Sequence, residues 1–139
     1  TMYDGGVRVP FMLRWPAMVK PGVSDAFVCQ MDLLASFAGL LGQTYPDKLD
    51  SRNTLKAFLG KSKKGREELV IEGMFNYAYR KGDWALIPPY RKQTEYQLYN
   101  LKEDIGQKHN LADKYPKKVK ELTDEFEALK LSTGKKTRF

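Results

Sequence analysis

The sequence predicts an α+β chain: a strand and a helix, followed by a small four-stranded antiparallel sheet packed with a long C-terminal helix. Three observations carry that prediction. Short alternating segments crowd residues 67–100, an apolar stripe at helical spacing runs through residues 116–131, and an apolar stretch stands ahead of both. In the opening "TMYDGGVRVPFMLRWP", Val7, Val9, Phe11 and Leu13 interleave with Met12 and Trp15. That pattern suits a strand covered on both faces, an interior position in a larger sheet. Left without neighbours, such a segment is expected to pair with another copy of itself. The glycines of "DGG" predict a turn at positive φ.

After the turn "KPGVSD" and the short apolar "AFVCQ" comes "MDLLASFAGLLG". Met31, Leu33, Leu34, Phe37, Leu40 and Leu41 occupy nearly all sides of a helix there, so it is expected to be buried all round, with Gly42 as its stop. Residues 43–64 turn polar and read as a connector with one short helical piece, "TLKAFLG". The strands follow at 67–73, 76–81, 83–87 and 95–100, with Lys81-Gly82 or Gly82-Asp83 as a hairpin turn. In the tail, Pro116 suits a first helical turn, and Val119, Leu122, Phe126 and Leu129 form the stripe that should lie on one face of the sheet. The expected division is residues 1–64 and residues 65–139.

A chain of 139 residues is long enough to bury a core of its own. With 24 Lys and Arg against 17 Asp and Glu the net charge is +7, which favours encounters with anions. The basic runs "KSKKGR", "KYPKKVK" and "GKKTR" read as solvated surface, and no zinc-finger or aromatic-interleaved RNA pattern accompanies them, so no nucleic-acid partner is expected. No apolar run approaches the ~20 residues that span a bilayer. The single Cys29 cannot form an internal disulfide and reads as a buried, inert thiol. His109 has no second His or Cys to share a metal with and reads as a loop or capping residue. On residues alone no catalytic constellation is assembled, and a basic module that binds anionic polymers stays open.

The ordered set "TMYDGGVRVPFMLRWP", "KPGVSD", "MDLLASFAGLLG", "LDSRNTLKAFLGK", "REELVIEG", "YAYRKGDWALI" and "YQLYNLKEDIGQKHNLADKYP" resembles the late-chain pattern of the sulfatase family over about residues 1 to 131. The resemblance implies the C-terminal portion of a type I, arylsulfatase-like enzyme. Its fold would be the α/β alkaline-phosphatase-like one, with residues 1–64 closing the main domain and 65–139 forming a C-terminal subdomain. The implied reaction is sulfate-ester hydrolysis by a formylglycine made from a Cys in Cys-x-Pro-Ser-Arg, with a calcium ion. Those parts and a sulfate-binding Lys would lie ahead of Thr1, so this chain is expected to bind no cofactor and to be inactive alone, with the remainder of its own sulfatase chain as partner. A periplasmic or extracellular location is implied as well.

Within that resemblance, Arg8 is expected to pair with Asp4 or another carboxylate and to orient the segment, or to touch substrate. Tyr90 and Arg91 in "PPYRKQ", and the loop "GMFNY", are candidates for a rim that contacts a sulfated small molecule or glycan by stacking and charge-assisted hydrogen bonds. The chain departs from the family at Ala85, where Lys is common, at Asn100, where Asp is common, and at "DIGQ" in place of Asp-Pro-x-Glu. A phosphoesterase or phosphonate hydrolase of the same superfamily is the near alternative.

Overall fold

The computed structural model describes residues 2–46, 49–73, 76–90 and 93–132. They fall into two compact units: Pro10–Glu67, and the described residues up to Val9 together with those from Glu68 onward. The unit boundary lies between Glu67 and Glu68, and the opening residues belong with the sheet.

The sheet unit is a meander. Strands β1 (Glu68–Glu72), β2 (Tyr77–Lys81), β3 (Trp84–Ile87) and β4 (Gln97–Asn100) pair in sequence order, all antiparallel. Lys81 faces Trp84 across a two-residue Gly82-Asp83 turn, and Gly82 sits at φ +56, which a residue without Cβ adopts at little cost. This settles the turn that the sequence leaves between two readings. Alternation divides the strands between two faces. Tyr79, Leu86 and Leu98 point one way and join Leu122 and Phe126 of helix α3 (Pro116–Ser132), with Val119 and Leu129 packed at the margin. The predicted stripe is thus the face that α3 lays on the sheet. Ala78, Ala85, Ile87 and Tyr99 point the other way and enclose Met2 with Leu101.

The Pro10–Glu67 unit contains α1 (Asp32–Leu40) and the short α2 (Leu55–Phe58). Helix α1 differs from its expected all-round burial. Its buried positions are Asp32, Ala35 and Ser36, whereas Leu34, Phe37 and Leu41 are exposed. The cause is a demand for hydrogen bonds by the backbone of the neighbouring loop. Arg52 N–H donates to Asp32 Oδ1 at 2.8 Å, Thr54 N–H to Ser36 Oγ at 3.0 Å, and Ala35 N–H, in the first helical turn, to Ser51 Oγ at 3.0 Å. The Asp32 carboxylate is wholly buried and receives Arg66 Nε on both oxygens, at 3.0 and 2.8 Å. Gly65 precedes that arginine because a Cβ there would stand 2.0 Å from the Phe27 carbonyl oxygen.

The opening strand is a second difference. Residues 7–15 form no strand, since none of the described residues pairs with them in a ladder, and Val9 and Met12 stand 71% and 92% exposed. Apolar character marks a segment for burial, but a strand exists only where a partner supplies its hydrogen bonds. The "DGG" turn also closes differently, as a 3-10 turn over Asp4–Gly6, while the glycines at positive φ among the described residues are Gly42, Gly60 and Gly82. Cys29 is half-buried.

Candidate functional site

Met2–Arg8 is held on the open face of the sheet, and its geometry starts from two small residues. Ala78 and Ala85 leave room over the middle of the sheet, and Met2 fills it. Tyr3 follows, its ring edge-on to Tyr99 at 6.1 Å, and both hydroxyls donate to Gln97 Oε1, at 2.9 and 3.1 Å. Burial and the nearby Tyr3 push the Tyr99 hydroxyl up to about 12.

The 3-10 turn then places Asp4 and Arg8 on one side of the segment. Arg8 N–H and Val7 N–H both donate to Asp4 O, at 2.8 and 3.1 Å. Arg8 Nε meets Asp4 Oδ2 at 2.6 Å, and Arg80 of β2 meets Asp4 Oδ1 at 3.0 Å. Two guanidinium groups therefore share one buried carboxylate. The Arg80 side chain is largely buried and that of Arg8 half-exposed. Burial, opposed by Asp4 and reinforced by Arg8, lowers the Arg80 pKa from its ordinary value.

Gln107 completes the cluster. It accepts Asp4 N–H on Oε1 at 2.5 Å, is itself buried, and stands at φ +50. A left-handed non-glycine residue costs about 1–3 kcal/mol. Its Nε2 is also buried, with no hydrogen-bond partner among the described residues. The loop around it is tied by Asp104, whose Oδ2 accepts Lys108 N–H and His109 N–H, both at 2.8 Å. Those bonds, that from His109 foremost, hold the Asp104 carboxyl below its ordinary range. His109 is a loop residue with an exposed side chain.

Of the residues singled out from sequence, Arg8 is brought together with Asp4 as expected, and with Arg80. Tyr90 pairs with Gln93 through two backbone hydrogen bonds of 2.8 and 3.0 Å. Arg91 lies outside the described residues, as do Met74 and Phe75 of the "GMFNY" loop. Arg80, Gln97, Tyr99 and Gln107 escape a reading of motifs. For Arg80 the strand alternation Ala78–Arg80 is a signal, because it puts a cation on the Met2 face. Gln107 carries none, since nothing in "DIGQ" marks a left-handed glutamine.

A cleft of about 330 Å³ near the start of α3 is lined, among the described residues, by Glu95, Tyr96, Asn110 and Asp113 with their neighbours. On α3 itself Lys118, Lys120 and Lys130 meet Glu121, Asp124 and Glu127 at 2.7, 2.6 and 3.0 Å, so part of the basic tail is locally neutralised. No described helix is long and apolar enough to cross a membrane.

The antiparallel meander with one long helix behind it is an arrangement this chain shares with sulfatases of the alkaline-phosphatase-like fold. The family model for the N-sulphoglucosamine sulphohydrolase C-terminal region matches residues 1–132, and the chain belongs to that sulfatase family. It is 38% identical over 144 residues to an N-acetylgalactosamine-6-O-sulfatase of Bacteroides thetaiotaomicron, covering 92% of this chain and 28% of that protein. Human arylsulfatase A is 37% identical over 72 residues, 51% of this chain and 14% of that protein. A structure from work on glycosaminoglycan metabolism by Bacteroides thetaiotaomicron superposes with a TM-score of 0.76 at 35% identity, covering 85% of this chain and 28% of the other. A structure solved in complex with its substrate D-glucosamine-2-N,6-O-disulfate shares the fold, with a TM-score of 0.69 at 24% identity over 88% of this chain and 28% of the other. The chain thus spans little more than a quarter of the N-acetylgalactosamine-6-O-sulfatase it matches.

The family resemblance implies a calcium ion. Among the described residues no three His, Cys, Asp or Glu side chains converge. Cys29 is followed by Gln30, Met31 and Asp32, which is not the formylglycine motif. No step of chemistry is assigned to either group on this chain.

Proposed function

We propose that this chain is the C-terminal part of a sulfatase that removes sulfate from carbohydrates, and that it supplies structure and a rim to a catalytic centre formed by other residues of the complete polypeptide. The observation that carries the reading is the family match over residues 1–132, joined to relatives named as carbohydrate sulfatases. Formylglycine, calcium and a sulfate-binding lysine belong to that other portion, and the chain alone is inactive. The near alternative, a phosphoesterase of the same superfamily, differs in a nucleophile that this region does not carry.

The role of this chain follows from its two open features. Leu34 and Phe37 of α1, Leu41 just after it, and Phe11 and Met12 are exposed apolar side chains that the remainder of the sulfatase covers. Arg8, with Nε committed to Asp4 and its side chain half-exposed, presents its η nitrogens to the sulfate or carboxylate of a bound saccharide, and Tyr90 offers a ring for a sugar to stack on. A periplasmic or extracellular setting fits such a substrate.

A substrate panel tests this. The complete polypeptide should release sulfate from 6-O-sulfated N-acetylhexosamines, with kcat/KM at least tenfold above that for an aryl sulfate and no release of phosphate from a phosphomonoester. A reversed preference for the aryl ester would remove the carbohydrate assignment. Phosphate release without sulfate release would remove the reaction class.

A further inference from the structure

Gln107 combines a left-handed backbone with a buried side chain whose amide nitrogen has no partner among the described residues. Strain of that kind persists where the surroundings over-determine it, and the observed outlier points to what it secures. Gln107 secures one visible contact, the acceptance of Asp4 N–H by Oε1, across 103 positions of sequence. Its backbone is set by Asp104, which accepts Gln107 N–H on its carbonyl at 3.0 Å and the two following N–H groups on its carboxylate.

We infer that Gln107 is a positioning residue that fixes the Asp4–Arg8 turn, and with it the direction in which Arg8 presents its guanidinium. The Asp4 carboxylate is gripped by two arginines and its carbonyl closes the turn by accepting Val7 N–H and Arg8 N–H, but neither contact ties the N–H end of the turn to the Gln107 loop, which leaves that end free to shift. The contact to Asp4 N–H removes that freedom, because it holds the main chain at the first residue of the turn. The local charge explains which replacement is tolerated. A carboxylate at position 107 keeps an acceptor for Asp4 N–H and adds a negative charge beside Arg8 and Arg80, so Gln107→Glu is the replacement expected to be tolerated.

The inference rests in part on the sulfatase reading, and two readouts separate them. Gln107→Gly relieves the left-handed backbone but removes the acceptor. In the 139-residue protein, amide exchange at Asp4 should accelerate at least tenfold in this variant, while the amides that pair β2 with β3 keep their protection and the melting temperature does not fall. Unchanged exchange at Asp4 would overturn the inference whatever the protein catalyses. In the complete polypeptide the same variant should lose about tenfold in kcat/KM toward its sulfated saccharide, mainly through KM, and Gln107→Glu should recover most of that loss. Faster exchange at Asp4 with wild-type KM would keep the turn contact and overturn the step from turn to Arg8. Absence of sulfate release by the unsubstituted polypeptide would count against the sulfatase reading and leave the exchange result to decide the inference.

Discussion

Asp32→Ala is expected to destabilise the Pro10–Glu67 unit by about 3–5 kcal/mol, enough to unfold a marginal unit outright. The carboxylate is fully buried, and its removal strands the Arg66 guanidinium, whose side chain is only 5% exposed. The loss reaches beyond the pair. Arg52 N–H loses its acceptor, and the Arg66 fork that also reaches the Asp50 carbonyl loses its anchor. Urea unfolding followed by Trp15 fluorescence in a Trp84→Phe background reads this unit alone. Combining Asp32→Ala with Arg66→Met should cost less than the single change, because the uncompensated charge is then gone. A single variant within about 1 kcal/mol of wild type would show that the ion pair does not hold α1 to its loop.

Phe126→Ala is the second large effect, at about 3–5 kcal/mol in the sheet unit. Phe126 is 1% exposed, and its ring lies 5.7 Å from that of Tyr77 and 6.0 Å from that of Tyr79. Together with Leu122 it is the main wedge of α3 into the face made by Tyr79, Leu86 and Leu98. The cavity left by truncation sits under a helix tied elsewhere by few polar contacts, notably Lys81 with Glu125. Trp84 fluorescence in a Trp15→Phe background reports the transition. Lys130, over the same Phe126 ring at 4.9 Å, serves as a control, since Lys130→Ala should cost about 1 kcal/mol or less. Equal costs for the two substitutions would contradict the packing described.

These two residues mark where sequence reading succeeds and where it stops. Phe126 is legible because the 3.6-residue period depends only on near neighbours, and the same holds for the two-residue period that locates all four strands. The hairpin at Gly82 is legible because its backbone demands glycine. Asp32 is not, because an acid at the head of an apolar helix looks like a surface residue until Arg66, 34 positions later, folds onto it. Helix α1 turned its polar side inward for that reason, against a periodicity dominated by leucines. The opening segment misleads in a related way, since apolarity reports a wish for burial and not the presence of a ladder.

The candidate site divides along the same line. Asp4 and Arg8, four apart in sequence, are a local pair and can be anticipated. Arg80 and Gln107 join them across 76 and 103 positions, through a register and a loop conformation that arise only once the sheet has formed.

The most direct measurement compares sulfate release by the complete polypeptide and by the 139-residue chain, side by side, with an N-acetylgalactosamine 6-sulfate substrate and ion chromatography of the product. A sulfatase C-terminal region predicts free sulfate from the complete polypeptide and none above background from the shorter chain. Turnover by the 139 residues alone, or failure of the complete polypeptide to release sulfate from any sulfated saccharide, would contradict it.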